Sequence, residues 1–354
     1  MPARMMVVIA LLVVAQSPRA SLEPGGGRQE ALVAADGRDE CQEFAELKGA
    51  YLGQPPPGRT PARFAEGVVS TKGRELNAVF TPDGREFYFT RHGEDRRWTI
   101  MRLAIEDGRW SPPRPASFSG RWSDVDLFIT ADGRRLYFCS NRPLQGDTPK
   151  DFDIWVCERS SDGWGEPRNV GSPVNSASNE FYPSLTCDGT LYFQSSRPGG
   201  PGLSDIWRSR LVDGRYADAE CLPSPVNSAA SEGDALVGAD ESFLIVSVTL
   251  GERERSGSTR AAAAVRRDDV ISGAAPPPPP PPAAPGLFLS LRGDDDTWSP
   301  LVSLGAAINT TDAGVNCQML SPDGRYLFFT RGGDIYWVDA AVVEEAKRRA
   351  AEAR

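Results

Sequence analysis

A Ser/Thr-x-Asp-Gly turn followed by an apolar run recurs along this chain and constrains its fold more than any other feature. It reads Thr81-Pro82-Asp83-Gly84 before Phe87-Tyr88-Phe89, and Thr130-Ala131-Asp132-Gly133 before Leu136-Tyr137-Phe138. It returns as Thr186-Cys187-Asp188-Gly189 before Leu191-Tyr192-Phe193 and as Ser321-Pro322-Asp323-Gly324 before Tyr326-Leu327-Phe328-Phe329. A degenerate copy, Gly238-Ala239-Asp240-Glu241, precedes Phe243-Leu244-Ile245. The spacing is about fifty residues, a period at which one supersecondary unit repeats and buries its apolar faces against neighbouring copies.

Each copy reads as strand, turn, strand. The fixed φ of proline, the side-chain acceptor of aspartate and a left-handed glycine suit a tight hairpin between two runs of apolar residues. A third strand follows in each copy: Trp98-Thr99-Ile100-Met101, Asp153-Ile154-Trp155-Val156, Asp205-Ile206-Trp207-Arg208, Leu287-Phe288-Leu289-Ser290 and Asp334-Ile335-Tyr336-Trp337. A second turn and an aromatic residue (Trp110, Trp164, Tyr216, Trp298) lead to a weaker fourth strand. Apolar residues on both faces of a strand suit a sheet covered on both sides. The expectation is an all-β fold, a single β-propeller of four-stranded antiparallel blades over residues 60–340, since four strands per unit is the propeller count. Five copies give five blades; six is the alternative if one copy is unrecognisable. The last copy has only three strands of its own, and the segment Arg63 to Ser70 is expected to close the ring as its fourth, which removes the open edges of the array.

Outside the repeats, Met1 to Ala20 has a basic start, an apolar stretch from Met5 to Ala15 and small residues after it, the pattern of a signal peptide. The mature chain is therefore expected to be exported, periplasmic or extracellular, without a membrane span. Residues 21–59 read as a flexible segment, residues 251–285 as a disordered Ala/Pro-rich insertion in the fourth blade, and 341–354 as a short exposed charged helix. A net charge of −9 without a basic run argues against nucleic acid as a partner. Six cysteines fit an oxidising compartment, and Cys139 with Cys157, on strands expected to be neighbours, is the candidate disulfide; two buried free thiols are the alternative.

The hairpins, Ser140-Asn141-Arg142-Pro143, Ser195-Ser196-Arg197-Pro198, the Asp-Ile-Trp strands and the Val174-Asn175-Ser176 and Val226-Asn227-Ser228 linkers resemble the WD-like, TolB-type propeller repeat found in many exported bacterial proteins. The resemblance covers roughly residues 60–340. It implies the propeller fold and export. It is silent on function, because one propeller architecture hosts binding platforms and enzymes alike. The chain departs from TolB itself in lacking room before residue 60 for a separate amino-terminal domain, so a Tol-system role is not implied.

Few residues point to chemistry. His92 is the only histidine, with no serine or acid partner indicated, and a multi-histidine zinc site is excluded. Carboxylates near strand entries, Asp124, Asp126, Glu180, Glu232 and Asp234, with Glu66, are the candidate channel-facing ligands for a sugar or, without further support, calcium. A pair of them at a suitable separation could hydrolyse a glycoside. The Asn-Ser/Thr linkers read more economically as turn caps, and Arg91, Arg142, Arg197 and Arg331 as scaffold ion pairs with Asp153, Asp205 and Asp334 of adjoining strands. The recurring aromatics read as packing between blades. Asp83, Gly84, Asp132, Gly133, Asp188, Gly189, Asp323 and Gly324 form the structural signature of the repeat. The reading that follows is a monomeric, non-enzymatic exported propeller, without cofactor or metal, that binds a protein or envelope component; the alternative is a glycan-binding or glycoside-hydrolysing propeller.

Overall fold

A computed structural model describes residues 47–250, 282–311 and 313–354. The expected signal peptide, the first part of the 21–59 segment and nearly all of the 251–285 insertion lie outside the described residues.

Five antiparallel sheets follow one another along the chain, each ordered from an inner strand outward. The inner strands are Glu75–Phe80, Asp124–Ile129, Glu180–Leu185, Ser231–Val237 and Val315–Leu320. The second strands, Glu86–His92, Arg135–Ser140, Leu191–Ser195, Phe243–Thr249 and Tyr326–Arg331, return across the Asp-Gly hairpins. Third strands are Trp98–Glu106, Asp153–Ser160, Asp205–Ser209, Gly286–Leu291 and Asp334–Asp339. Short outer strands complete blades 1 to 4 (Arg114–Pro115, Arg168–Asn169, Glu220–Cys221, Val302–Ser303). Blade 5 takes its outer strand from the start of the chain: Ala62 pairs with Trp337 and Arg63 with Tyr336. This is the five-bladed ring expected from the repeat, closed by the start of the chain as expected, although the closing strand is Ala62–Arg63 rather than the whole of Arg63 to Ser70.

The hairpins form for the reason the sequence suggests. The Thr81 hydroxyl donates to Asp83 at 2.6 Å, the Arg85 amide donates to the same carboxylate at 3.0 Å, and Gly84, at φ 67°, turns the chain into the second strand. Asp132, Asp188 and Asp323 accept the same two bonds. These bonds to the charged form hold all four carboxyls below the usual aspartate range, with burial opposing.

Between blades the aromatics pack as expected. The Trp164 indole of blade 2 donates to the Tyr88 hydroxyl of blade 1 at 2.8 Å, Tyr216 of blade 3 meets Tyr137 of blade 2 hydroxyl to hydroxyl at 3.3 Å, and Trp298 of blade 4 stands edge-on to Tyr192 of blade 3.

Three expectations need correction. Cys139 and Cys157 are free. They do sit on adjacent strands, but Cys139 lies opposite Ile154 and Cys157 opposite Leu136. The offset of three residues sends the two thiols to opposite faces of the sheet, into different core layers. Within the segment read as flexible, Leu47 to Gly53 is docked: Leu52 is fully buried, the Tyr51 ring sits among Phe80, Tyr326, Phe328 and Trp337, and the Trp110 indole donates to the Gly49 carbonyl at 2.8 Å. The carboxy-terminal helix, Ala341–Glu352, is not free of the body. Val343, Ala346 and Ala350 are buried in the same core layer as Leu287, Leu289 and Leu304 of blade 4.

Candidate functional site

The inner strands ring the central channel, and each breaks register at the same point. The pairing slips between Leu76 and Ala78, Val125 and Phe128, Phe181 and Ser184, Gly233 and Leu236, and Asn316 and Met319. The residue at the slip is Asn77, Asp126, Tyr182, Asp234 or Cys317, and all five hold φ between 50 and 53°. Asn and Asp tolerate this left-handed conformation; Tyr and Cys do so at a cost, so the ring rather than local preference imposes it. Each is four residues before the first residue of its Asp-Gly hairpin, a signal present in the sequence that identifies Asn77, Tyr182 and Cys317 as equivalents of the two aspartates.

These side chains bond from blade to blade. The Asn77 carbonyl oxygen accepts the Leu127 amide at 3.1 Å, Asp126 accepts the Tyr182 amide, Asp234 Oδ2 accepts the Cys317 amide at 3.0 Å, and the Tyr182 hydroxyl donates across to the Gln318 carbonyl at 2.5 Å. Burial pushes both acids up: Asp126 well above the ordinary range, with the Asp234 charge adding to the effect, and Asp234 to about 6 against its bond from Cys317. The amide nitrogen of Asn77 is buried without a partner.

The other candidate carboxylates have structural work. Asp124, Glu180 and Glu232 are fully buried, as is Glu75 at the same position of blade 1. Ser176 donates to Glu180 through its hydroxyl at 2.6 Å and its amide at 3.0 Å; Ser228 does the same to Glu232 and Thr71 to Glu75, while the Ser119 hydroxyl donates to Asp124 at 2.7 Å. Glu66 lies on the surface beside Arg63 rather than at the channel. The strand-end arginines join these acids, which corrects their expected pairing with Asp153, Asp205 and Asp334. Arg91 pairs with Glu75, Arg142 with Asp124 and Arg197 with Glu180, at 2.9 to 3.2 Å. Each also donates to a carbonyl of the preceding linker (Val68, Phe118, Pro173), and Arg331, with no acid partner among the described residues, donates to that of Ala307. The Asn175, Asn227 and Asn309 side chains act as a further backbone unit, each accepting from and donating to one third-strand residue, Ile154, Ile206 or Leu287. These are caps, as the sequence suggested.

Toward the hairpin end the channel widens into a funnel of about 650 Å³ to which all five blades contribute. Its wall is the last part of each inner strand, including Val79, Phe128, Leu185, Leu236 and Met319. Val79, Phe128, Leu236 and Met319 each follow Asn77, Asp126, Asp234 and Cys317 with one residue between, so the wall begins where the polar ring ends. The mouth carries Asp132, Arg134, Arg135 and the exposed Cys187. Neither the funnel nor Arg134 was singled out by the sequence.

No family model matches the chain, and no curated protein matches it in sequence. Solved structures similar to it include TolB from Acinetobacter baumannii (13% identity, TM-score 0.42, 76% of this chain and 55% of that one). Others are a putative TolB from Agrobacterium tumefaciens (14%, TM-score 0.44, 75% and 72%) and a gluconolactonase from Xanthomonas campestris (12%, TM-score 0.41, 82% and 98%). The chain thus spans about half the length of the Acinetobacter TolB. At TM-scores below 0.5 these likenesses carry no argument; the five-bladed ring rests on the strand pairing itself. No helix among the described residues is long and apolar enough to cross a membrane.

Proposed function

We propose that this chain is an exported, non-enzymatic binding propeller and that the hairpin-end funnel is its binding site. One observation carries the reading: five blades converge on one concave, largely apolar cavity of a size that suits a small ligand or an inserted side chain. Three of the five candidate acids are spent inside the scaffold, each fully buried and bonded to its own blade, which leaves them no free oxygen to offer a substrate.

The glycoside-hydrolysing alternative retains Asp126 and Asp234, a pair that does not recur in the other blades and whose carboxyls are raised by burial. One protonated and one ionised acid is what such chemistry needs. Both, however, already accept an inner-strand amide from the next blade. Aryl glycoside turnover abolished by Asp126→Asn or Asp234→Asn would establish this alternative in place of binding alone.

The funnel reading is tested with a neutral apolar fluorophore, N-phenyl-1-naphthylamine. It should bind the folded chain at one site per molecule. Ala239→Trp, at an exposed position of the mouth, should fill the funnel and remove that binding with the thermal midpoint unchanged. Equal binding by both chains would place the site elsewhere.

A further inference from the structure

The polar groups that line the funnel are nearly all occupied by one another. Thr130, Thr186 and Ser321 each donate their hydroxyl to the aspartate two residues on, at 2.5 to 2.7 Å. Asp132, the one carboxylate of the lining, accepts both the Thr130 hydroxyl and the Arg134 amide. Arg135 hydrogen-bonds Tyr137 and feels Glu158. That leaves Arg134. Its guanidinium is exposed at the mouth and forms no salt bridge or side-chain hydrogen bond among the described residues, interacting with Asp132 only through space. With Arg135 beside it and Asp132 the only acid, the lining carries one net positive charge.

The two halves of the funnel therefore ask for different chemistry. Its wall, from Val79 and Phe128 to Leu236 and Met319, offers apolar surface over the last one or two residues of each inner strand, about 3–7 Å at ~3.3 Å per residue. Its mouth offers one net positive charge, with the Arg134 guanidinium held by no hydrogen bond. A fully apolar ligand would leave that guanidinium unused, and a cationic one would meet it unfavourably. A polar ligand such as a sugar would find no free hydroxyl in the lining to replace its own hydration.

We propose that the funnel binds a small single-chain anionic amphiphile, with its hydrocarbon chain on the apolar wall and its acid head on the Arg134 guanidinium. This rests on the funnel being the binding site, and the two can fail separately. The chain supplies most of the affinity through buried apolar area; the head supplies orientation and preference, as exposed ion pairs do.

The experiment compares decanoate, decanol and decyltrimethylammonium, each below its aggregation threshold, for displacement of N-phenyl-1-naphthylamine from the full chain. Decanoate should bind about fivefold more tightly than decanol, with the quaternary ammonium weakest. The preference should shrink as salt rises. Arg134→Gln should bring decanoate down to the decanol level and leave decanol unchanged. The residue is exposed and its side chain forms no hydrogen bond or salt bridge among the described residues, so the thermal midpoint should be preserved. Equal affinity for decanoate and decanol in the parent chain, or tighter binding of the quaternary ammonium, would overturn the head assignment while the funnel remained a binding site. Binding of none of the three, or binding that survives Ala239→Trp, would overturn both.

Discussion

At the residue scale, Asp126 and Asp234 are the expensive members of the channel ring. Asn77 makes the same kind of bond to the next blade with a neutral amide, so the cap does not require a charge. Two carboxyls buried near one another disfavour their ionised forms, and their folded pKa values lie above the unfolded value. Such groups stabilise the fold fully only below the unfolded pKa, near 4, and that contribution is lost as pH rises through the folded value, about 6 for Asp234. The hairpin aspartates 83, 132, 188 and 323 act in the opposite sense: their lowered values stabilise above the unfolded pKa and are lost on acidification. Stability should therefore be greatest in mildly acidic solution. Asp234→Asn should gain about 1–3 kcal/mol at pH 8 and close to nothing at pH 4.5, because asparagine can keep the bond from the Cys317 amide. Urea titrations at the two pH values measure this. A variant weaker than the parent at pH 8 would mean that the charge itself holds the ring.

At the scale of the element, a blade is more than its four strands. In blades 1 to 3 the inner strand begins on a buried acid that is fed from behind by a Ser/Thr in the linker and from above by the strand-end arginine, which also holds the linker carbonyl. Arg197 stacks over the Phe193 and Trp207 rings as it does so, and Arg142 over Phe138 and Trp155. The node fixes where one blade hands over to the next. Arg197→Met keeps the length and apolar stem of the side chain but leaves Glu180 as a buried carboxylate without its cation. A loss of about 3–5 kcal/mol is expected, the usual result of removing one partner of a buried pair. The double variant Arg197→Met, Glu180→Gln should recover much of it. Chemical denaturation of the three chains gives the coupling directly, and a double variant no better than the single would show that the arginine acts through its stacking and its carbonyl contacts alone.

For the whole molecule, the legible and the illegible parts of the sequence divide by distance along the chain. Hairpins, strand order and caps are local, so Asp-Gly turns and Asn-Ser linkers announce them. Ring closure was also legible, because three strands in the last repeat leave an edge that only the start of the chain can fill. What the sequence hid depends on residues brought together around the axis: the equivalence of Asn77 with Tyr182 and Cys317 is masked by their different chemistry, and the funnel belongs to no single repeat. The docking of Tyr51 and Leu52 was hidden for the same reason, since their neighbours lie in blades 1 and 5. Phe64 is where this closure is best tested. Its ring is fully buried against Phe80 and Phe87 of blade 1 and Phe328 and Trp337 of blade 5, and its amide donates to Ile335 at 2.9 Å. In a repeat array each unit leans on its neighbours alone, so a defect at the seam should loosen those two blades before the rest. Phe64→Ala is expected to cost about 3–5 kcal/mol. Amide exchange should accelerate first in Ile335–Val338 and Phe87–Phe89, while Leu191–Phe193 of blade 3, on the far side of the ring, keeps its protection. Simultaneous loss in all five blades would show instead that the ring opens only as one cooperative unit, with the seam no weaker than any other blade interface.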